Sequence, residues 1–328
     1  MNTPGLPQTL LRVQHLSKSY PLPGNKSFRA LNAVSFELRE RKTLGVVGES
    51  GCGKSTLGRT LMRLNPASGG KVEFAGVDWI SPSAKPAREQ RRLMQIVFQD
   101  PYSSLNPKYS IADIVREPLD INRTDKSRAE RMQMVRDLLS TVGLSPADAA
   151  KYPHEFSGGQ RQRIAIARAL ALEPQLLVAD EPVSALDVSI QSQILNLLME
   201  LRRQRNMAMI FISHDLSVIR HVSDDVAVMY FGSIVEMAPA RQLFAEPAHP
   251  YTRLLLSAIP KRNQVGTTVD IQNAARGELA ATELPDPANP PPGCAFAGRC
   301  PRAMPRCSAE VPALRAHQQG TVACFLYP

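Results

Sequence analysis

One glycine-rich stretch constrains the fold of this 328-residue chain more than any other feature. Residues 44–47 are apolar and run directly into the pattern Gly-x-x-x-x-Gly-Lys-Ser at residues 48–55, and a helix-compatible segment, Thr56 to Leu64, follows. Glycines at these positions let backbone N–H groups wrap around a phosphate, and the start of the helix adds positive partial charge. The strand, loop and helix together predict a phosphate-binding P-loop in an α/β fold.

The P-loop pattern also predicts how its side chains act. Lys54 would reach the β- and γ-phosphates of a nucleoside triphosphate, and the Ser55 hydroxyl would bind Mg²⁺. The predicted nucleotide-binding residues of the loop are Gly48, Glu49, Ser50, Gly51, Cys52, Gly53, Lys54, Ser55 and Thr56.

A second chemical element follows the apolar residues 176–179, where Asp180 and Glu181 stand side by side. Open α/β sheets bind ligands at the carboxyl ends of their strands. Asp180 would therefore hold Mg²⁺, directly or through water, and Glu181 would be the general base for an attacking water. Taken alone, the pair could equally be an acidic cap at the end of a strand, and the P-loop favours the catalytic interpretation.

A third element, Ser157, Gly158, Gly159 and Gln160, immediately precedes a helical segment. Glycines expose backbone N–H groups there, and the helix start carries positive partial charge, so the arrangement suits an anion. Such a turn in isolation is more often a helix N-cap. Its position about 20 residues before the acidic pair favours a nucleotide-related role.

Strands alternate with helices along residues 9–245, which predicts an α/β sheet with a largely parallel core. Residues 34–38 alternate apolar and polar side chains, as in a half-buried strand. Apolar residues recur at helical spacing within residues 110–150, so a helical subdomain is predicted over about residues 104–158. The periodic pattern weakens afterwards, and residues 246–328 are predicted to form an irregular, cysteine-containing C-terminal region.

Composition narrows the class of partner. The net charge of +9 and the pI of about 9.5 suit phosphates, nucleic acid or an anionic membrane surface. The basic segments lack interleaved aromatic residues and Trp79 is the only tryptophan, so no nucleic-acid partner is predicted. No apolar run approaches the ~20 residues that span a bilayer, and no signal core opens the chain. We expect a cytosolic protein, or one that partners hold at a membrane.

Four of the five cysteines lie in the last 35 residues, with the spacing Cys294-x5-Cys300-x6-Cys307-x16-Cys324. In a cytosolic chain such clustering favours a metal site over disulfides. Four thiolates can hold zinc or an iron–sulfur cluster, although this spacing matches neither the common zinc modules nor the ferredoxin patterns. Cys52 is interpreted as a small filler of the P-loop.

The P-loop, residues 156–160 and the strand that ends in Asp180 and Glu181 together resemble the ATP-binding subunits of ATP-binding-cassette (ABC) transporters. Phe156 stands where the family signature more often has leucine. The resemblance covers residues 10–245. It implies a RecA-like P-loop core with an antiparallel β-subdomain and a helical subdomain. It also implies that two subunits enclose two ATP molecules, with each P-loop facing the other subunit's signature, here residues 157–160.

Further residues take roles from this resemblance one at a time. Tyr20 matches the aromatic residue that stacks on adenine, and a core or edge tyrosine is the alternative. Gln99 matches the glutamine that touches Mg²⁺ and the attacking water and links the helical subdomain to the membrane partner. His214 matches the histidine that contacts the γ-phosphate, and Asp187 belongs to a loop that communicates across the dimer. None of these residues departs from the family pattern of a catalytically competent site. A working ATPase is therefore expected, with Glu181, His214 and Gln99 as its catalytic residues.

Residues 99–107, 181–187, 249–252 and 290–296 narrow the resemblance to the dipeptide/oligopeptide importer subfamily, and within it to the second ATPase subunit of dipeptide permeases. This implies a heterodimer with a sister ATPase subunit, two transmembrane permease subunits and an external peptide-binding protein. The chain would lie peripherally on the cytoplasmic face of the plasma (inner) membrane. An importer of nickel or another solute is the alternative. A soluble ABC ATPase acting on ribosomes or DNA usually has two cassettes or a coiled-coil insertion, which this chain lacks.

Members of this subfamily are similar around the tail cysteines, and some carry a [4Fe–4S] cluster there. The resemblance therefore implies a cluster on Cys294, Cys300, Cys307 and Cys324, with zinc or unligated thiols as alternatives.

Overall fold

The computed structural model describes residues 8–24, 26–81, 88–122, 125–257, 285–286 and 289–327. Its strands are β1 (Thr9–Leu22), β2 (Lys26–Arg39), β3 (Thr43–Val47), β4 (Gly69–Phe74), β5 (Val77–Asp78), β6 (Met94–Val97), β7 (Leu176–Asp180), β8 (Ala208–Ile212), β9 (Asp225–Tyr230), β10 (Ser233–Pro239), β11 (Arg315–His317) and β12 (Gly320–Val322). Its α-helices are α1 (Lys54–Leu61), α2 (Arg88–Arg92), α3 (Pro101–Ser104), α4 (Ile111–Asn122), α5 (Arg128–Thr141), α6 (Gly158–Leu170), α7 (Val188–Gln204), α8 (Leu216–Val222), α9 (Ala240–Ala245), α10 (Pro250–Ser257) and α11 (Pro305–Ala309). Short 3-10 helices cover Pro146–Ala150, Pro153–Glu155 and Ala297–Arg299.

The described residues divide into two compact units. The first unit comprises the described parts of Met1–Arg12, Glu37–Thr43 and Glu73–Ile212, and the second those of Val13–Phe36, Leu44–Val72 and Ser213–Pro328. The division at residue 245 between an ATPase domain and a C-terminal region remains a prediction.

The first unit is built on parallel strands. Strand β7 pairs in parallel with β6 and with β8, so that Val178 lies opposite both Ile96 and Ile210. Every residue of β7 and β8 is buried, as expected of a parallel sheet that is covered on both faces. Asp180 is the last residue of β7, which places the acidic pair at the edge where α/β sheets bind ligands.

Helices α4 and α5 lie in the first unit, as the apolar spacing within residues 110–150 predicted, and α6 packs against both. A helical subdomain over about residues 104–158 remains a prediction. The interior faces of the three helices carry Ile111, Ile114, Val115, Val135, Leu138, Leu139 and Ile164. Helix α5 begins with a capping box of Ser127 and Glu130. Gly143 follows its end with φ +74°, a conformation that glycine adopts without strain.

The P-loop belongs to the second unit, where it connects β3 to α1. Strand β3 pairs in parallel with β9, with Val46 opposite Ala227, and β9 pairs antiparallel with β10. Strands β2, β1 and β4 are neighbours in another sheet, in that order. Residues 13–22 of β1, 26–36 of β2 and 69–72 of β4 belong to the second unit, together with the P-loop.

The C-terminal region is more regular than the sequence predicts. Strands β11 and β12 form an antiparallel hairpin, and β12 pairs with β10 through Glu236 with Val322 and Met237 with Thr321. Gly320 is so close to β10 that a Cβ there would collide with the Met237 carbonyl oxygen. The tail therefore extends a sheet of the second unit, although residues 258–284 lie outside the described residues.

The α/β class predicted from the sequence is confirmed by this arrangement. Antiparallel pairing is also present in the first unit, where Glu73 and Phe74 of β4 lie opposite Asp78 and Val77 of β5. Among the described helices, none is long and apolar enough to cross a membrane.

Candidate nucleotide-binding site

Two glycines of the P-loop are required by the close approach of neighbouring backbone. Gly48 has φ +153° and Gly53 has φ +106°. A Cβ at Gly48 would collide with the carbonyl oxygen of Met229, and a Cβ at Gly53 would collide with that of Ala30. The loop is therefore packed into a fixed shape, as a cradle for phosphate requires.

Lys54 lies inside this loop, with only 5% of its surface exposed. Its Nζ donates hydrogen bonds to the carbonyl oxygens of Gly48 and Glu49, at 2.8 and 2.9 Å. Burial raises the pKa of the neighbouring Cys52 thiol, although Lys54 opposes the shift. Cys52 is therefore a neutral side chain that fills the loop, and Lys54 supplies the loop's positive charge.

Helix α1 begins at Lys54, two residues earlier than predicted, and Gly53 is its N-cap residue. The first N–H groups of a helix have no partner within the helix and carry positive partial charge. Ser55 and Thr56 lie in this first turn. The start of α1 therefore suits an anion, as the sequence predicted for a phosphate.

Tyr20 lies in β1 of the same unit and is half-buried. Its Oη accepts a hydrogen bond from Asn65 Nδ2 at 2.9 Å, and Lys18 Nζ lies 4.8 Å from the ring centroid. The Phe28 ring stacks beside it, with the centroids 6.4 Å apart. These contacts orient the ring, and its stacking on adenine remains a prediction.

His214 is exposed, and the backbone on both sides of it is fixed. The N–H of Ser213 donates to the carbonyl of Val46 at 3.1 Å, in the strand that leads into the P-loop. The Asp215 side chain accepts hydrogen bonds from two backbone N–H groups of α8 and so caps that helix. The contact of His214 with a γ-phosphate remains a prediction.

In the first unit the structure brings Gln99 and Glu181 together. Gln99 Nε2 donates a hydrogen bond to Glu181 Oε2 at 3.1 Å. Asp180 is 2% exposed, whereas Glu181 is half-buried. The oxygen ligands of Asp180 and Gln99 are of the kind that Mg²⁺ prefers, and the more accessible Glu181 suits a general base.

Glu181 has φ +47°, a left-handed conformation that is uncommon for a residue other than glycine. Its N–H donates to the carbonyl of Ile212 at 3.0 Å, and its own carbonyl accepts from Ser184 Oγ at 3.1 Å. Backbone strain of this kind concentrates at functional sites. Nothing in the sequence pattern signals this conformation, so only the structure identifies it.

Ser157 and Gln160 form a capping box at the start of α6. The N–H of Ser157 donates to Gln160 Oε1 at 3.0 Å, and the N–H of Gln160 donates to Ser157 Oγ at 3.4 Å. Gly159 is buried, and a Cβ there would collide with Ile190. The N-cap interpretation is therefore confirmed, while contact of this exposed turn with a nucleotide on another subunit remains a prediction.

Asp187 is the N-cap residue of α7, but its side chain makes no capping hydrogen bond. Asp187 is exposed, and the adjacent Val188 is 79% exposed. An exposed carboxylate beside an exposed apolar side chain is compatible with a subunit contact. Communication across a dimer through Asp187 remains a prediction.

Comparison with known proteins decides the family. The family model "ABC transporter" matches residues 31–184, and "Oligopeptide/dipeptide transporter, C-terminal region" matches residues 235–307. The chain is 51% identical to the di/tripeptide transport ATP-binding protein DppF of Pseudomonas aeruginosa (strain UCBPP-PA14), over 97% of both chains. It is 46% identical to the dipeptide transport ATP-binding protein DppF of Escherichia coli (strain K12), over 98% of this chain and 95% of that protein. The chain belongs to the ATP-binding subunits of peptide-transporting ABC transporters.

A solved structure agrees with this family. The dimeric ATP-binding cassette MJ0796, in a post-hydrolysis state bound to ADP and Pi, matches with a TM-score of 0.64 and 28% identity, over 70% of this chain and 99% of that chain. The predicted ABC fold is thereby confirmed, and the chain is an ABC-type ATPase.

The iron–sulfur cluster predicted for this ABC subunit is wrong. Among the described residues, which include all four tail cysteines, no group of three or more His, Cys, Asp or Glu side chains could hold a metal ion. Cys294, Cys300, Cys307 and Cys324 line a cavity of about 10 Å³, which is roughly the space that one water molecule needs. A cluster does not fit that space, and neither [4Fe–4S] nor zinc is supported.

The protonation of these cysteines agrees with a packing role. All four are free thiols. Burial raises the pKa of the Cys294, Cys300 and Cys324 thiols, so these side chains are neutral at pH 7 in the metal-free chain. The Cys307 carbonyl accepts a hydrogen bond from the Cys294 N–H at 2.7 Å. This hydrogen bond brings the backbone of two of the four cysteines together.

Two residues of the C-terminal region contact the P-loop of this ABC subunit, and the sequence did not predict them. Tyr251 Oη accepts a hydrogen bond from the Glu49 N–H, and Arg299 binds the Glu49 carboxylate. Residues 249–252 stood out only by resemblance. No sequence signal connects Arg299 with a residue 250 positions earlier.

Proposed function

We propose that this chain binds ATP with Mg²⁺ and hydrolyses it to energise the import of dipeptides or oligopeptides across the plasma membrane. The observation that carries the proposal is the 51% identity, over 97% of both chains, to a protein named for di/tripeptide transport. The P-loop and the acidic pair at the end of β7 supply the chemistry that ATP hydrolysis needs.

The P-loop binds the polyphosphate. Its backbone N–H groups and the start of α1 face the phosphate oxygens, and Lys54 adds the full positive charge. The glycine positions that no side chain can occupy, Gly48 and Gly53, fit a cradle that closes tightly around a phosphate. Tyr20 stacks on the adenine.

Glu181 accepts a proton from the water that attacks the γ-phosphorus, and ADP and phosphate are the products. Gln99 positions this base, since its amide N–H is hydrogen-bonded to the Glu181 carboxylate at 3.1 Å. His214 donates a hydrogen bond to the γ-phosphate. Ser55, Asp180 and Gln99 would hold Mg²⁺, which supplies positive charge at the phosphate oxygens when it is bound.

A sister ATPase subunit completes the arrangement. The signature, Ser157 to Gln160, contacts the ATP of that partner, and Asp187 lies in the loop that senses the partner's site. Support for this proposal comes from the exposure of Ser157, Gln160 and Asp187, which leaves them accessible to another subunit.

A groove in the first unit supports a contact with a permease. It encloses about 460 Å³ and its lining includes Phe98, Glu117, Ile121 and Arg168. Ile121 is 48% exposed, and Phe98 directly precedes Gln99. A permease segment bound here would touch the chain next to the residue that positions Glu181.

The chain then lies peripherally on the cytoplasmic face of the membrane, and an external peptide-binding protein delivers the peptide.

Uptake into proteoliposomes that contain the chain, its sister ATPase and both permeases tests the proposal. With the peptide-binding protein and a radiolabelled dipeptide outside and ATP on the ATPase side, we expect dipeptide to accumulate. Lys54→Ala should abolish that accumulation. Uptake of radioactive nickel ion without uptake of dipeptide would contradict the proposal and assign the transporter to metal import.

A further inference from the structure

Glu49 of the P-loop is held from three sides. Its N–H donates to Tyr251 Oη at 2.9 Å, and its carbonyl accepts from Lys54 Nζ at 2.9 Å. Its carboxylate receives two hydrogen bonds from Arg299, at 2.8 and 2.9 Å. A guanidinium that binds both oxygens of a carboxylate fixes direction as well as distance. Two of the three partners, Tyr251 and Arg299, belong to the C-terminal region.

A buried aromatic cluster places Arg299 for this contact. The rings of Tyr230, Tyr251 and Phe296 pack with centroids 4.6 to 5.4 Å apart. The Arg299 guanidinium lies 5.9 Å from the ring centroids of Tyr230 and Phe296, and its side chain is only 9% exposed. Solvent therefore screens the Arg299–Glu49 pair less than it screens an ion pair on an open surface.

Tyr251 is anchored from its other side by β10. Its N–H donates to His249 Nδ1 at 3.0 Å. The N–H groups of Ala248 and His249 both donate to the Glu236 carboxylate, at 2.8 Å each. Tyr251 is fully buried. A continuous series of hydrogen bonds therefore connects a strand of the second unit to the backbone of the P-loop.

We propose that Arg299 and Tyr251 are positioning residues for ATP: they fix the conformation of Glu49 and neutralise its charge next to the phosphate-binding backbone. Without Arg299, the Glu49 carboxylate would repel the polyphosphate. Without either residue, the Glu49 carbonyl, which accepts a hydrogen bond from Lys54, would lose a contact that fixes its position. This inference rests on the proposed ATP-binding function and extends it to the C-terminal region.

A double-mutant cycle on Arg299 and Glu49 tests the inference in the complete transporter complex. We expect Arg299→Met to raise the KM for ATP about tenfold while kcat changes by less than about twofold. In the Glu49→Gln background, the same Arg299→Met substitution should change KM by less than about twofold, because no negative charge is left to neutralise. Binding of a fluorescent ATP analogue to the full chain should show the same pattern in Kd.

Two further variants and a matched control complete the design. Tyr251→Phe keeps the aromatic packing and removes only the hydroxyl, so a folded protein with a KM raised about fivefold is expected. Arg299→Lys keeps the charge without the two-pronged contact and should fall between wild type and Arg299→Met. Arg306→Met is the control, because Arg306 forms an exposed ion pair with Glu310 in the same region and should leave KM unchanged.

Additive effects of Arg299→Met and Glu49→Gln would overturn the inference, as would an unchanged KM in Tyr251→Phe. If Arg299→Met does not fold, Tyr251→Phe decides alone. The proposed function fails separately: a wild-type complex that hydrolyses ATP but imports no peptide would contradict it, and the Arg299–Glu49 cycle would still give its own answer.

Discussion

At the scale of single residues, Gln99 positions Glu181 in the proposed mechanism. Gln99→Glu would place a second carboxylate at a hydrogen-bonding distance that is now 3.1 Å. Two carboxylates this close tend to share one proton, so the base would be ionised only at higher pH. We expect the acid limb of the pH–rate profile for phosphate release to move up by about one pH unit.

Gln99→Ala is the matched control for that measurement. It removes the hydrogen bond without adding a charge, so the rate should fall and the acid limb should move up by less than in Gln99→Glu. An unshifted profile in Gln99→Glu would show that Gln99 does not contact the catalytic base.

His249 gives a second residue-scale prediction, on stability. It is 2% exposed, and burial lowers its pKa from 6.5 to about 4. The unfolded chain binds a proton on this imidazole below pH 6.5, whereas the folded chain resists it until about pH 4. The contribution of neutral His249 to the free energy of unfolding is therefore fully present above pH 6.5. It is lost as pH falls toward 4, by about 3 kcal/mol in total.

His249→Asn removes the titration and keeps an oxygen that can accept the Tyr251 N–H. Urea unfolding at several pH values should show a flatter decline of the free energy of unfolding between pH 6.5 and about 4 in this variant. Equal slopes in wild type and variant would contradict the assignment.

At the scale of elements, the two signature glycines at the start of α6 differ in what surrounds them. A Cβ at Gly159 would collide with Ile190, whereas a Cβ at Gly158 would lie 3.3 Å from Leu186 Cδ2. We expect Gly159→Ala to destabilise the protein by about 1–3 kcal/mol. In Gly158→Ala, the control, alanine favours the helix over glycine by about 1 kcal/mol, which offsets the close contact with Leu186. The free energy of unfolding should therefore barely change. Thermal unfolding measures both, and equal losses would contradict the packing seen at α6.

The elements also show which parts of the fold the sequence could predict. The P-loop is a local signal, so the strand, the glycines and α1 were all predicted, with an error of two residues at the helix start. The helical spacing of residues 110–150 likewise predicted α4 and α5. These predictions succeeded because each depends on neighbours within a few turns of the chain.

Long-range pairing was not predictable in the same way. Strand β12 pairs with β10 although three-residue strands carry almost no periodic signal. The contact between Arg299 and Glu49 joins residues 250 positions apart. The four tail cysteines gave a wrong prediction, since clustering in the sequence is common to metal ligands and to thiols that pack together.

At the scale of the whole molecule, each unit carries its own part of the predicted chemistry. The second unit holds the P-loop, Tyr20 and His214, and the first holds Gln99, the acidic pair and the signature. The C-terminal region is more than an appendage, since Tyr251 and Arg299 contact the P-loop directly. The tail of this chain therefore holds Glu49 of the nucleotide-binding loop through both its backbone and its side chain.

Phosphate release by the complete transporter with Glu181→Gln tests whether Glu181 is the base that this chain uses to hydrolyse ATP. We expect this variant to bind ATP with an affinity within about twofold of wild type and to turn it over about 100- to 1000-fold more slowly. Lys54→Ala, the comparison variant, should instead lose ATP binding. Wild-type turnover in Glu181→Gln would contradict the assignment of Glu181 as the base.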